Sequence, residues 1–285
     1  GLLNARFIAG NQTFAHRVLS DISTQAKKKM STFLPELRAI THERHQRQGE
    51  LAYLLEPDLK EARGGLRDVT LIRAISDCLE ITVPFDRVAN AESSLLNIRD
   101  ALHEVSGRNK DQLYFVEQDK VADLLQLTNA DELMAEVARS ARTIDYVLEL
   151  MWHHIDHQKD KNFLKFKKAK ARSLELGLNL ESNEVVIADS FKIADDPVIA
   201  LRAAATAAQL GVPLSLGSCE RLAREMVDLP TPWPKTAREE LVRLIGAGAS
   251  MVRVWEALEQ EGVISRIFPE WKHLRSLPQR NVLHR

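Results

Sequence analysis

Along residues 133–151 the apolar side chains Leu133, Val137, Ala141, Ile144, Leu148 and Met151 recur at spacings of 4, 4, 3, 4 and 3. At 3.6 residues per turn a helix gathers all six on one face, whereas a strand would divide them between two. A stripe of this length must be covered by other helices, so the spacing predicts a helical bundle rather than a sheet. Leu95, Ile98, Leu102 and Val105 form a second stripe. It stops before Gly107, a residue able to take the left-handed conformation in which many helices end.

The rest of the chain repeats this character, with a few interruptions. Residues 2–48 are rich in Ala, Leu, Arg and Lys, and Gly10, their one glycine, marks a break between a short helix and longer ones. LAYLLEPDLK and then EARGG predict an extended segment followed by a glycine turn. From Asp68 to about His157 the helical period resumes. Between Ser173 and Ser190 two β-prone runs, LELGLNL and VVIADS, flank the polar SNE, the pattern of a small hairpin. Beyond it, Asp196 can cap and Pro197 can open a helix that runs to Gly211, and Thr236 with Glu239 has the spacing of a capping box. Pro230, Pro232 and Pro234 stiffen the connection between those helices.

Composition excludes several classes of function. A formal net charge of −1 leaves no global field to steer the chain onto nucleic acid or an anionic membrane. Its two cysteines, Cys78 and Cys219, have neither the number nor the spacing of a disulfide framework or zinc ribbon, so a reducing cytoplasm is expected. No apolar run approaches the roughly 18–20 residues that span a bilayer, and no signal peptide opens the chain. It begins at Gly1 and goes directly into helical apolar spacing, so we expect a piece of a longer protein.

The stretch LLEPDLKEARGGLRD, Leu54 to Asp68, carries the most chemistry. In an extended strand Glu56, Asp58 and Lys60 would share one face. Gly64 and Gly65 allow a tight turn that brings backbone N–H groups to a ligand, and Arg63 and Arg67 bracket the turn with guanidinium groups suited to phosphate. Carboxylates for Mg²⁺ and cations for phosphates are what nucleotidyl transfer requires. The alternative is a strand, turn and helix whose charges form surface ion pairs. Asp68 can also cap the following helix. Upstream, THERHQRQG offers His42, Arg44, His45 and Arg47 to the same phosphate site. His153 and His157, four apart, have zinc-ligand spacing or simply mark an exposed helix end. LIGAGAS lacks the third glycine of a dinucleotide fingerprint and reads as a turn between helices. The basic run Lys159, Lys161, Lys165, Lys167, Lys168, Lys170 and Arg172, broken by Phe163 and Phe166, suits an acidic partner, nucleotide phosphates or solvent.

EPDLKEARGGLRD resembles the signature of the bacterial PII-protein uridylyltransferase/uridylyl-removing family, in which an E-P-x-(I/L)-K element precedes G-G-L-R-D. LLNARFIAG, THERHQRQG, the helices, the hairpin and the closing FPEWKHL and LPQRNVLH agree in order. The resemblance implies a multidomain enzyme that uridylylates and de-uridylylates the PII signalling protein, with glutamine as effector, UTP as donor and Mg²⁺ as cofactor. ATP is the alternative donor. It implies a mainly α chain: residues 1–67 as the end of a nucleotidyltransferase domain, 68–172 as a helical bundle, 173–190 as the hairpin and 191–285 as a helical unit leading into an HD hydrolase domain. ACT sensing modules would follow. Asp58 resembles the third carboxylate of related transferases, implying a metal or base role, and Lys60, Arg63, Gly64, Gly65 and Arg67 are expected to bind phosphate. Paired Asp-x-Asp carboxylates are expected before Gly1 and HD ligands after Arg285, so these residues alone should be inactive. A helical module that binds PII without chemistry, or a nucleic-acid-binding protein using residues 159–172, are the readings from other classes.

Overall fold

The computed structural model of the protein describes residues 7–81, 83–163 and 172–277. It is mostly helical and divides into two compact units, Gly1–His154 with Ser276–Arg285, and Ile155–Arg275.

The first unit opens with α1, Gln12–Gln48, a 37-residue helix that runs through Pro35. Asn11 caps it by accepting from the Phe14 N–H at 2.9 Å, and Gly49, at φ 75°, ends it. α2 (Leu66–Leu79), α3 (Phe85–Ser106), α4 (Phe115–Leu124) and α5 (Ala130–Phe163) follow. All six apolar residues that define the 133–151 stripe are buried, as are Leu95, Ile98 and Leu102 of the second. Ile72 and Ile75 of α2 likewise have no exposed surface. Gly107 ends α3 at φ 64°, as its position predicts. α5 begins on a reciprocal cap, with the Asn129 amide oxygen accepting from the Glu132 N–H and the Glu132 carboxylate from the Thr128 N–H.

The second unit carries the hairpin. β2 (Leu178–Glu181) pairs antiparallel with β3 (Glu184–Ile187) through Ser182 and Asn183, both at positive φ, and β1 (Arg172–Ser173) adds a short third strand beside β2. α6 (Ile199–Leu210), α7 (Leu216–Glu225), α8 (Lys235–Ile245), α9 (Ala249–Gln260), α10 (Val263–Ile267) and α11 (Trp271–Leu274) complete it. Asp196 accepts from the Val198 N–H at 2.9 Å just ahead of α6, and Gly211 ends that helix at φ 68°. The capping box expected of Thr236 and Glu239 does not form: α8 starts after Pro234 with no side-chain cap, and Glu239 pairs with Lys235 instead. Gly246 and Gly248 of LIGAGAS make the turn between α8 and α9. Lys165, Lys167, Lys168, Lys170 and Phe166 of the basic run, and all of the closing LPQRNVLH but its first residue, lie outside the described residues.

Leu148 of the α5 stripe has 1% of its surface exposed. Leu148→Ala should lower stability by about 2–5 kcal/mol in urea unfolding, whereas Val242→Ala, on an exposed face, should change it by less than about 0.5 kcal/mol.

Candidate functional site

The segment between α1 and α2 is a folded turn. After Gly49 the chain doubles back, with the Leu51 N–H donating to the Arg63 carbonyl at 3.0 Å and the Arg63 N–H to the Gly49 carbonyl at 2.9 Å. Leu51 and Leu59 are fully buried beneath it. Pro57 has no N–H for a strand ladder, and the next side chain takes over local hydrogen bonding. Asp58 Oδ1 accepts from the Lys60 N–H at 2.9 Å and the Glu61 N–H at 2.8 Å, and its carbonyl accepts from Ala62. The extended strand expected of LEPDLK is therefore corrected to a turn, and its side chains do not alternate. Glu56 accepts from the Phe115 N–H at 2.9 Å, while the Lys60 ammonium lies 3.6 Å from Asp111.

Both glycines are fixed by crowding. Gly64 stands at φ 83°, and a Cβ there would come within 2.5 Å of the Ala141 carbonyl oxygen on α5. A Cβ on Gly65 would meet the carbonyl oxygens of Ala62, Lys60 and Leu59 at 2.8–2.9 Å. The Gly64 N–H donates to Asp68 Oδ2 at 2.8 Å. Asp68, in the first turn of α2, has no exposed surface. Arg44 pairs with its other oxygen and also donates to the Glu61 carbonyl at 2.6 Å, and His45 Nε2 lies 3.0 Å from Asp68 Oδ2. Asp68 is therefore not the cap of α2, whose N-cap is Gly65 without a side-chain bond; it ties α1, the glycine turn and α2 together. Arg44 and His45 of THERHQRQG serve this cluster, whereas His42 bonds to Gln46 one turn along and Arg47 faces outward.

The cations of the motif separate into two groups. Arg63 is drawn inward, donating to Asp145 at 2.6 Å, with Glu149 at 3.4 Å and Glu50 at 3.8 Å. Arg67, half exposed, donates to Glu61 at 2.6 Å, which holds the Glu61 carboxyl below its ordinary range. Lys60 is 39% exposed beside Asp111, which also accepts from Arg99 at 2.6 Å and lies 3.1 Å from His103. Burial raises the Asp111 carboxyl, but Arg99, His103 and Lys60 outweigh it and leave it lowered. Lys60 and Arg67 are joined through the backbone, the Arg67 N–H donating to the Lys60 carbonyl at 3.0 Å. The structure therefore brings Asp58, Lys60, Glu61 and Arg67 onto one turn and assigns Arg63, Gly64 and Gly65 to its packing.

Sequence reasoning did not single out Asp111, Arg99, His103, Asp145 or Glu149. Asp145 and Glu149 follow Ala141 at intervals of four on the edge of the α5 stripe, a spacing that could have marked them as partners for the motif's arginines. Among the described residues no three His, Cys, Asp or Glu side chains converge as a metal site, so Asp58 and its neighbours do not by themselves fit Mg²⁺, nor His153 and His157 zinc.

Comparison with known proteins matches residues 32–84 and 84–152, which contain this whole arrangement, to the family described as GlnD PII-uridylyltransferase. The chain belongs to that family. Over its full length it is 42% identical to a bifunctional uridylyltransferase/uridylyl-removing enzyme of Streptomyces coelicolor, and 33% identical to one of Mycobacterium tuberculosis strain H37Rv. It spans 36% of the length of each. A Corynebacterium glutamicum protein of the same description is 28% identical over 99% of the chain and 40% of its own length. No solved structure matches. In this uridylyltransferase-family chain the signature residues are thus accounted for first as architecture, with two cations left facing outward.

Two measurements test that account. Arg44→Ala leaves the buried Asp68 carboxylate without its main partner and should cost about 3–5 kcal/mol, and Gly64→Ala, strained and crowded against α5, at least about 1–3 kcal/mol, both read by urea unfolding. The second concerns pH. Burial, with Glu149 and Asp68 nearby, outweighs Arg63 and raises the Asp145 carboxyl from 3.8 to about 6. Between those values the unfolded chain has released the proton and the folded chain still holds it, so stability falls as pH rises from about 4 to about 6 and is level above. The full amplitude of such a shift is about 3 kcal/mol, less here because 26% of the side chain reaches solvent. Asp145→Asn should flatten that slope in denaturation curves taken across the window.

Proposed function

We propose that the chain is the helical part of a bifunctional enzyme that transfers UMP from UTP to a PII protein and removes it again. The carrying observation is the match over the whole chain, at 42% and 33% identity, to proteins described by both activities. Those descriptions favour UTP over ATP as the donor. The parent would be a cytoplasmic enzyme with glutamine as effector. No described helix is long and apolar enough to cross a membrane. Mg²⁺ would be held chiefly by carboxylates in the parent outside residues 1–285, because those described here do not assemble a site. When bound, the ion supplies charge neutralisation on the transferred phosphate.

Within this reading the turn acts as a rigid mount. Lys60 and Arg67 are its outward cations, and we assign them to the phosphates of the nucleotide, while Arg63, Gly64 and Gly65 hold the mount on α5. Asp58 shapes the turn through its backbone hydrogen bonds and sets the spacing of the two cations. The isolated chain should neither transfer UMP nor remove it.

In the full-length parent, Lys60→Ala or Arg67→Ala should reduce transfer of label from UTP to PII by roughly 10²-fold or more if the side chain stabilises transition-state charge. Removal of UMP and the melting temperature should stay near wild type, since both side chains are well exposed. Unchanged transfer in both variants would remove the phosphate assignment. Labelling of PII from ATP but not UTP would replace the donor, and a parent that binds PII without either activity would leave a docking module.

A further inference from the structure

The first half of α1 is folded but holds no buried residue. Of its 37 residues those buried are Met30, Leu34, Thr41 and Arg44, so nothing from Gln12 to Lys29 is buried. Lys27 pairs with Glu80, just past the C-terminal end of α2, at 3.2 Å. The 15 residues from Gln12 to Ala26 precede that ion pair, a length of about 22 Å at 1.5 Å per residue. Thr24 donates to the Ser20 carbonyl and Gln12 bonds with His16, both within the helix.

Its surface is not that of a solvated helix. Phe14, Ala15, Val18, Leu19, Ile22 and Ala26 occur at the helical spacing of three and four and fall within one broad apolar sector. Phe14 is 62% exposed and Val18 37%, and Ile8, just ahead of the helix, is 83% exposed, while Ala15, Leu19, Ile22 and Ala26 are half-buried. His16, Ser20, Ser23, Thr24 and Lys27 lie on the opposite side. A contiguous apolar patch of this kind marks a surface that is covered in the working protein.

We infer that the sector Phe14–Ala26 of α1 is an intramolecular docking face, covered in the full-length parent by polypeptide outside residues 1–285. The inference rests on the preceding reading only for the existence of that longer parent. Two observations choose the occupant. The chain spans 36% of the length of its relatives, so nearly two thirds of such a parent is available to cover the helix. The stretch from Gln12 to Lys29 also carries Arg17, Lys27, Lys28 and Lys29 against the single acid Asp21. A second copy of the same basic helix would repel it, whereas a face with an apolar centre and an acidic rim would fit.

Amide hydrogen exchange of the full-length parent and of the 1–285 chain, measured side by side, tests this. Amides of residues 16–26 should exchange at least about tenfold more slowly in the parent, while those around Leu148 are alike in both. The double variant Phe14→Ser with Val18→Ser should abolish that protection in the parent and leave the melting temperature of the 1–285 chain unchanged. Equal exchange in the two proteins overturns the inference. So does a 1–285 dimer in sedimentation that the double variant dissolves, or protection that arises only on adding PII, because each names a different occupant. Protection without uridylyl transfer would defeat the functional reading and leave this one standing.

Discussion

Asp68 is a carboxylate with no exposed surface, and the rest of the first unit is arranged around what that requires. A buried charge is tolerable only when paired and fully hydrogen-bonded. Here the pairing must come from outside its own helix: Arg44 and His45 from the last turns of α1 and the Gly64 N–H from the turn before α2. Satisfying one side chain therefore fixes three segments at once. It sets where α1 ends, how tightly the chain reverses, and how α2 departs. Gly64 is constrained from the other side as well, since any Cβ would collide with the backbone of α5. Residues 44 to 68 thus read as one mechanical unit in which the spacing between arginine, glycines and aspartate follows from geometry.

That unit explains why cations so close in sequence behave so differently. Arg63, one residue before the glycines, is turned toward α5 and meets Asp145, Glu149 and Glu50. Its presence keeps three carboxylates tolerable near one another, although burial still leaves Asp145 raised to about 6. Arg67, on the first turn of α2, points out of the same turn and donates to Glu61. The difference lies in the reversal at Gly64–Gly65, which sends the two guanidinium groups in different directions. A linear reading of R-G-G-L-R would pair them on one ligand.

How much was legible follows from the range of the interactions involved. The α5 stripe, the end of α3 at Gly107 and the β2–β3 hairpin are set by periodicity or by one residue's backbone preference, and the structure places them where the sequence does. LEPDLK failed as a strand because Asp58 bonds to backbone two and three residues ahead, a local competition that an alternation pattern does not register. Thr236 and Glu239 have capping-box spacing, yet Pro234 starts α8 earlier, whereas the same device at Asn129 and Glu132 does form. The partners of the motif lie far off in sequence, Asp145 82 residues from Arg63 and Arg44 24 from Asp68, so the motif itself does not name them, and only the intervals of four after Ala141 set Asp145 and Glu149 on the edge of the α5 stripe. Arg44 and His45 were visible as a cationic cluster near the signature, but their destination was a buried carboxylate and not a ligand.

The two outward cations are restrained without being neutralised beyond use. A backbone hydrogen bond from Arg67 to Lys60 fixes the distance between their Cα atoms, and Asp58 fixes the turn that carries them. Each head group rests on a partly buried carboxylate, Asp111 for Lys60 and Glu61 for Arg67, while the exposure of the cations themselves keeps such pairs worth little. An incoming phosphate would exchange one anionic partner for another on side chains that are already paired, so little additional ordering would be needed. Asp111 adds a second constraint, because it is shared with Arg99 and His103 of α3 and remains ionised by their company. Displacing Lys60 from it leaves a carboxylate that is still satisfied. Were Asp111 to depend on Lys60 alone, the same exchange would strand a charge, and the turn would resist such a ligand.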